Sequence, residues 1–263
     1  MSGQLTVSVG GEGPDAVLQR AILATVANDF RVVTGDADVL LVSGRDGDAA
    51  AALAAAGPAT RAIMVTSPAA LDAESRAQLA RIEAGGTPVA LGFAYAPWFQ
   101  AEGLAFDAAT DAEVAILDLT AHVVDAGAVG DALLELLHVA RTMMGGLAST
   151  KLLMHTPTTT VIEAQGGPTP LKWRMTACAG LSEKLVAERI ARDRRSKVEI
   201  ARDGHARPAQ ITHHDIGGSH LAGPVYQSGY RAGWLTLHAA LCGDGLPGGV
   251  VAQLESDLEM LPA

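Results

Sequence analysis

The chain has 263 residues, of which 49% are hydrophobic, 18% are charged and 4% are aromatic, and its formal net charge is −10 at pH 7. This composition is typical of a globular protein with an aliphatic core, and its acidity argues against partners that need a basic face, such as nucleic acid or an anionic membrane. Two cysteines, no signal-peptide pattern and no apolar run of about 18 residues predict a cytoplasmic protein without a membrane span.

Short apolar runs alternate with helical patterns through the first half of the chain. The runs are LTVSV (5–9), DVLLVSG (38–44), RAIMVTS (61–67) and TPVALGFAY (87–95). Strands separated by helices form parallel βαβ units. The sequence therefore predicts an α/β protein that begins with a Rossmann-like parallel sheet domain, over residues 1–120.

A glycine-rich loop follows the first predicted strand. VGGEGPDA (9–16) places Gly11, Gly13 and Ala16 at the spacing of a dinucleotide-binding fingerprint between a strand and a helix. We predict these three residues as cofactor-binding. A tight turn without a ligand stays equally open, because Pro14 removes an N–H donor and Glu12 adds a negative charge.

The segment after the first helix is short for a dinucleotide-binding domain. About twenty residues separate the middle of that helix from the next buried strand, and only Asp36 and Asp38 stand where an acid for the ribose is expected. We interpret this as the loss of one βα unit.

The second half of the chain, residues 121–263, predicts an α+β domain with a large, mainly antiparallel sheet. Alternating strand patterns run from STKLLMHT to RPAQITHHD, and the last two helical patterns are assigned to the same domain. The segment LAFDAATDAEVAILDLTAHVV is interpreted as the crossing between the domains.

The stretch DALLELLHVARTMMG (131–145) predicts a buried helix with a polar stripe. Asp131, Glu135, His138 and Thr142 fall within roughly a 60° sector. One interpretation is the floor of a substrate pocket, in which the carboxylates share a proton and His138 acts as acid or base. The alternative is a structural role, with Asp131 as an N-cap and the other groups paired with buried Arg or Lys.

A histidine-rich segment lies further along the chain. THHDIGGSH (212–220) places His214 and His220 near Tyr226, and we predict these three residues as substrate-binding. A polar loop at a sheet edge is the alternative. Neighbouring histidines of a strand point to opposite faces, so we predict no metal site. The basic run ERIARDRRSK (188–197) predicts a solvated hairpin.

The order of these elements resembles the Gfo/Idh/MocA family of oxidoreductases. The resemblance extends from ALAAAGPATRAIMVTSPAALDAESRAQLARIEAGGTPVALGFAYAPW through DALLELLHVARTMMG to YRAGWLTLHAALCGDGLP. It implies a Rossmann domain followed by a mixed sheet, an NAD(P) cofactor, a small hydroxylated or carbonyl substrate, and a homodimer or larger oligomer formed through the C-terminal sheet. It also places Ser67, Tyr95 and Thr142 as substrate-binding.

The chain departs from the family pattern at its functional positions. Thr66-Ser67-Pro68 stands in place of Glu-Lys-Pro, Tyr95-Ala96 in place of Tyr-Arg, and Glu135 in place of the histidine of Asp-x-x-x-His. Three hypotheses follow. The chain is a divergent NAD(P)-dependent oxidoreductase, a cofactor-independent lyase, isomerase or cyclase that uses Asp131, Glu135 and His138, or a non-catalytic partner subunit.

Overall fold

The computed structural model describes residues 3–47, 49–101, 114–144, 147, 149–166, 171–180, 182–201, 208–222, 225–226, 228–243 and 245–261. The chain divides into two compact units, Met1–Pro97 with Gly229–Glu259, and Trp98–Ser228 with Met260–Ala263. In chain order the elements are β1 (Leu5–Val9), α1 (Pro14–Thr25), β2 (Phe30–Val33), β3 (Val39–Ser43), α2 (Ala49–Ala54), β4 (Ala62–Thr66), α3 (Ala73–Ala84), β5 (Val89–Leu91), α4 (Ala96–Ala101), β6 (Val114–Val123), α5 (Val129–Met144), β7 (Ser149–Thr156), β8 (Thr159–Gly166), β9 (Leu171–Ala179), β10 (Lys184–Ala191), β11 (Arg194–Ala201), β12 (Gln210–Asp215), β13 (Gly218–Leu221), α6 (Gly229–Cys242) and α7 (Val250–Glu259).

The first unit is built on a parallel sheet with the strand order β2-β1-β3-β4-β5. Every residue of β3 and β4 is buried, as expected for strands with helices on both faces. The predicted Rossmann-like sheet is therefore confirmed. β5 is only three residues long and ends at Leu91, because the chain turns there towards α4.

The predicted loss of a βα unit is also confirmed. β2 is a four-residue strand, and residues 34–38 lead from it directly to β3 on the other side of β1. Asp38 secures this crossing, because its Oδ2 accepts hydrogen bonds from the backbone N–H (2.8 Å) and the hydroxyl (2.7 Å) of Thr6. Burial raises the pKa of Asp38, but the bonds from Thr6 and the charge of Arg61 outweigh it and hold that pKa below its usual value.

The helices α6 and α7 pack on the first unit, whereas the sequence prediction grouped them with the second. Trp234 of α6 lies in the core with Phe30, and its indole N–H donates to Gln19 (2.9 Å). Gly229 begins α6 against the backbone of Ala94, where a Cβ would overlap with the Ala94 carbonyl. Contacts between residues more than 130 positions apart in the chain thus assign these helices to the first unit.

The second unit contains an eight-stranded sheet with the order β13-β12-β11-β10-β6-β9-β8-β7. Only the central pair of β6 and β9 is parallel among the described strand pairs of this sheet, which confirms the mainly antiparallel prediction. β6 lies within the segment that the sequence analysis interpreted as a crossing. Its alternate residues Leu117, Leu119 and Ala121 are buried, so it is a central strand of this sheet.

The eight-stranded sheet has two unlike faces. We call the buried face, with Leu117, Trp173 and Met175, the inner face; α5 packs against β6, β8 and β9 there. The opposite, outer face carries charged residues such as Asp118 and Arg174, which form an ion pair across β6 and β9. Among the described residues, no helix has the length and hydropathy required to cross a membrane.

We predict that Asp38→Ala lowers the free energy of unfolding by about 1–3 kcal/mol, since it leaves the Thr6 N–H without its acceptor. Because the pKa of Asp38 is lowered in the folded state, its stabilisation is present above the usual value of 3.8 and is lost as pH falls through the lower folded value. Urea denaturation at several pH values should show the difference between protein and variant shrinking below pH 3.8. A difference in the free energy of unfolding that stays constant down to about pH 2, roughly the acid limit of such a titration, would contradict this role.

Candidate functional site

The loop between β1 and α1 carries the residues of the predicted fingerprint. Gly11 has a positive φ of 79°, which favours glycine, and Gly13 precedes α1 with an extended backbone. Pro14 opens the helix, and Ala16 is buried beneath it. Gly11, Gly13 and Ala16 thus lie at the amino end of a helix, as the fingerprint predicts.

The first turn of α1 is capped by a carboxylate from the segment after β3. Asp46 accepts a hydrogen bond from the N–H of Ala16 (2.8 Å) through Oδ2 and one from Asp15 (3.3 Å) through Oδ1. Pro14 has no N–H, and the N–H of Val17 donates within the helix to Gly13. A Cβ added to Gly13 would overlap with the Asp46 carboxylate. Asp46 therefore satisfies the free donors of this turn and lies directly against the glycine backbone.

A network of hydroxyl groups holds Asp46 and its neighbours in place. The hydroxyl of Ser43 donates to Asp15 (2.8 Å) and accepts from the backbone N–H groups of Arg45 (3.1 Å) and Asp46 (3.2 Å). The hydroxyl of Ser67 donates to the same Asp15 oxygen (2.7 Å). Ser67 has a φ of 47°, in the left-handed region. This predicted substrate-binding residue therefore has its hydroxyl directed to a carboxylate within the first unit.

The charge around this loop and the hydrogen bonds of its helix turn do not fit a pyrophosphate. Glu12 and Asp15 bring two more carboxylates to the loop, and Arg20 pairs with Glu12 (3.0 Å). The cavity lined by Gly11, Ser43 and Asp46 has a volume of only about 20 Å³. A larger open groove of about 640 Å³ is lined by Val9 at the end of β1 and Glu12 of the same loop, together with Val33 and Gly35 at the end of β2. The N–H groups of Asp15 and Ala16, which would face a phosphate, are thus already bonded to a carboxylate.

The polar stripe on α5 lies in the second unit. Glu135 is buried, with 7% exposure, while Asp131, His138 and Thr142 are partly buried. Thr142 donates from its hydroxyl to the carbonyl of His138 (3.0 Å), a bond within the helix. Asp131, Glu135 and His138 each take part in a polar or electrostatic interaction. Carboxylates one helical turn apart with an imidazole on the same side can exchange protons with a bound molecule.

The sequence analysis missed a second buried charge in this unit. Arg189 of β10 is 7% exposed and points to the inner face, because it lies in register with Leu117 of β6. The basic run around it forms the predicted hairpin, β10–β11. The sequence signal for its burial is the alternation in LVAERIA, where the positions on the same face as Arg189 are small or apolar.

The other predicted substrate-binding residues are divided between the two units. His214, His220 and Tyr226 are exposed in or near β12 and the edge strand β13 of the second unit, whereas Tyr95 is buried in the first. His214 contacts the hydroxyl of Ser219 (3.0 Å) through Nδ1. In the ranges that the structure describes, no three His, Cys, Asp or Glu residues are placed to hold a metal ion.

Solved structures of oxidoreductases share the fold of almost the whole chain. UDP-N-acetylglucosamine 3-dehydrogenase GnnA from Acidithiobacillus ferrooxidans has a TM-score of 0.70 at 11% identity, over 98% of this chain and 96% of its own. The dehydrogenase MviM from Clostridium difficile has a TM-score of 0.67 at 10% identity, over 97% of both chains. KijD10, a 3-ketoreductase from Actinomadura kijaniata solved with NADP and TDP-benzene, has a TM-score of 0.68 at 11% identity, over 98% of this chain and 94% of its own.

Sequence comparisons add no relative to these structures. No protein-family model matches the chain, and no curated protein matches it. At identities of 10–11%, the structural likeness establishes the fold.

We predict that Asp46→Ala lowers the free energy of unfolding by about 1–2 kcal/mol, because the donors of the first turn of α1 lose their cap. Glu83→Ala is the matched comparison, since Glu83 of α3 caps α7 in the same way by accepting from Val250 (2.9 Å) and Val251 (3.1 Å). Urea denaturation should give similar losses for the two variants. An unchanged midpoint for Asp46→Ala would show that its carboxylate is not a cap.

Proposed function

We propose that this chain, whose fold is that of the Gfo/Idh/MocA oxidoreductases, catalyses proton transfer on a small hydroxylated or carbonyl substrate without a nicotinamide cofactor. The observation that carries the proposal is the polar stripe on α5, where the buried Glu135 shares one side of the helix with Asp131 and His138. The Asp46 cap on α1 supports the cofactor-independent form of this activity.

The substrate class is supported by the named activities of the similar structures. GnnA is a dehydrogenase of a nucleotide-linked amino sugar, and KijD10 is a 3-ketoreductase. Both names imply a hydroxyl or carbonyl carbon in the substrate. We therefore propose a sugar-like or cyclitol-like molecule for this chain, with a carbonyl group next to a C–H bond.

The proposed chemistry uses one base and one acid. Glu135, as carboxylate, removes the proton from the carbon next to the carbonyl, and the electron pair of that C–H bond moves into an enolate. His138 donates a proton to the enolate oxygen, which gives an enediol when the deprotonated carbon carries a hydroxyl. Glu135 then returns its proton to the former carbonyl carbon while the neighbouring hydroxyl gives its proton back to His138, and this completes the isomerisation.

A second candidate function is an NAD(P)-dependent oxidoreductase. The turn at Gly11 and Gly13 and the complex of KijD10 with NADP favour it. A third candidate is a non-catalytic subunit, which is favoured by Ser67 in the place of the family lysine. The three candidates differ in what they do to a carbonyl substrate: proton exchange, hydride transfer or no reaction.

We predict that the protein exchanges substrate C–H for C–D in D₂O and that Glu135→Gln slows this exchange by about 100-fold or more, as expected for loss of a general base. The measurement is NMR of a panel of keto sugars, keto cyclitols and nucleotide-linked keto sugars. Glu163→Gln is the control, because this acid of β8 lies on the outer face, beside Arg174 in the register.

Three results would contradict the proposal. Full exchange by Glu135→Gln would exclude Glu135 as the base. Oxidation of NADPH with the same panel, without exchange, would establish the oxidoreductase instead. Absence of both reactions across the panel would favour the non-catalytic subunit.

We also propose that two copies of the chain associate through the outer face of the eight-stranded sheet. Exposed apolar residues lie on this face among its charges, with Ile116 at 41% and Leu221 at 66% exposure. These side chains support the proposal, because the buried core of an interface is richer in apolar groups than the rest of a protein surface.

We predict that Ile116→Glu converts a dimer to a monomer, because it places a charge in the proposed interface. Val17→Glu is the control, since Val17 is 58% exposed on α1 of the first unit. Sedimentation velocity should show a dimer for the unmodified protein and for Val17→Glu only. A monomeric unmodified protein would exclude the proposed interface.

A further inference from the structure

We infer that the carboxylate of Asp46 takes the place of a phosphate at the amino end of α1, so that this chain does not hold a nicotinamide dinucleotide in its β1–α1 loop. The donors of the first helical turn already have partners. The N–H groups of Asp15 and Ala16 bind Asp46, Pro14 has none, and Val17 donates to Gly13. A pyrophosphate binds a dinucleotide fold through these same N–H groups.

Asp46 is held in this position by its own backbone. Its N–H donates to Ser43, and Gly44 of the same segment donates to Thr66 of β4 (3.0 Å). Gly44 also lies so close to Ser67 and Leu71 that it has no room for a side chain. The backbone of the segment after β3 is thus fixed to the ends of β3 and β4, and this holds the Asp46 carboxylate beside the start of α1.

Charge opposes a phosphate at this position even if Asp46 turns away. Glu12, Asp15 and Asp46 are three carboxylates at one loop, and Arg20 already pairs with Glu12 (3.0 Å) and donates to the Gly11 carbonyl (2.9 Å). A pyrophosphate would therefore meet like charges at the point where a dinucleotide site requires donors.

The ribose side of the site gives an independent argument. In a dinucleotide fold an acid at the end of the second strand binds the ribose hydroxyls. Here β2 leads directly into residues 34–38, and Asp38 binds Thr6 and lies 3.8 Å from Arg61. Of the two candidate acids, Asp38 thus stabilises the shortened crossing, while Asp36 is exposed in the turn after β2.

The test is calorimetric titration of the full chain and its Asp46→Ala and Asp46→Asn variants with pyrophosphate and with NADPH. The unmodified protein is expected to bind neither at concentrations up to about 1 mM. Asp46→Ala frees the N–H groups of Asp15 and Ala16 and should therefore bind pyrophosphate measurably within this range, with a gain in affinity of roughly tenfold or more. Asp46→Asn, which keeps one acceptor oxygen and the fold of the loop, should gain less.

Glu83→Ala is the matched control, because it uncaps α7 by removing a carboxylate from two N–H groups. An equal gain in this control would show a general effect of a free helix end and would overturn the inference. The shift of the Ala16 amide on addition of pyrophosphate, measured by NMR, reports directly on the site and should appear only in the Asp46 variants.

Two other results would overturn the inference: binding of NADPH by the unmodified protein at micromolar concentration, or no gain in either Asp46 variant. Thermal unfolding of each variant confirms that it is folded before titration. The inference concerns the first unit alone. Failure of the proposed proton transfer at α5 therefore leaves it intact, and its own failure would revive the NAD(P)-dependent alternative.

Discussion

The free N–H groups at the start of α1 are the constraint on which this edge of the first unit depends. A helix must satisfy these donors, and here the partner is Asp46, thirty residues from Ala16 in the chain. The bonds of Ser43 and Ser67 to Asp15 connect the ends of β3 and β4 to the same helix turn. One polar network thus joins three successive βα connections at the edge where Rossmann-like domains bind their ligands.

The first unit uses its own carboxylates in this way repeatedly. Glu83 of α3 caps α7, Asp72 caps its own helix by accepting from Ser75 (2.7 Å), and Asp38 binds the N–H of Thr6 beside the shortened crossing. These carboxylates accept hydrogen bonds from backbone N–H groups that would otherwise need water or a ligand as the acceptor. A sheet lacking one βα unit still forms a stable core because α6 closes it with Trp234.

The second unit buries charged residues on α5 and on the inner face of its sheet. Its large sheet packs one face against α5 and has charged residues on the other. Polar residues of α5 that are buried against the sheet cost free energy unless they are paired or hydrogen-bonded. Glu135 and Arg189 are both 7% exposed within this unit, and buried charges in proteins are compensated. The fold does not determine the role of these groups, because one fold hosts many activities and function depends on the residues around a site.

The sequence by itself determined the elements whose periodicity is local: β1 at Leu5–Val9, α5 at Val129–Met144, the parallel first sheet and the antiparallel second one. It also contained the pattern of strand β6, because VAILDLTAHV alternates, although this segment was interpreted as the crossing between the domains. Only the tertiary structure decided that α6 belongs to the first unit and that Asp46 caps α1. Both depend on contacts between segments distant in the chain, and a strand or helix pattern reports which face of an element is buried but not which segment buries it.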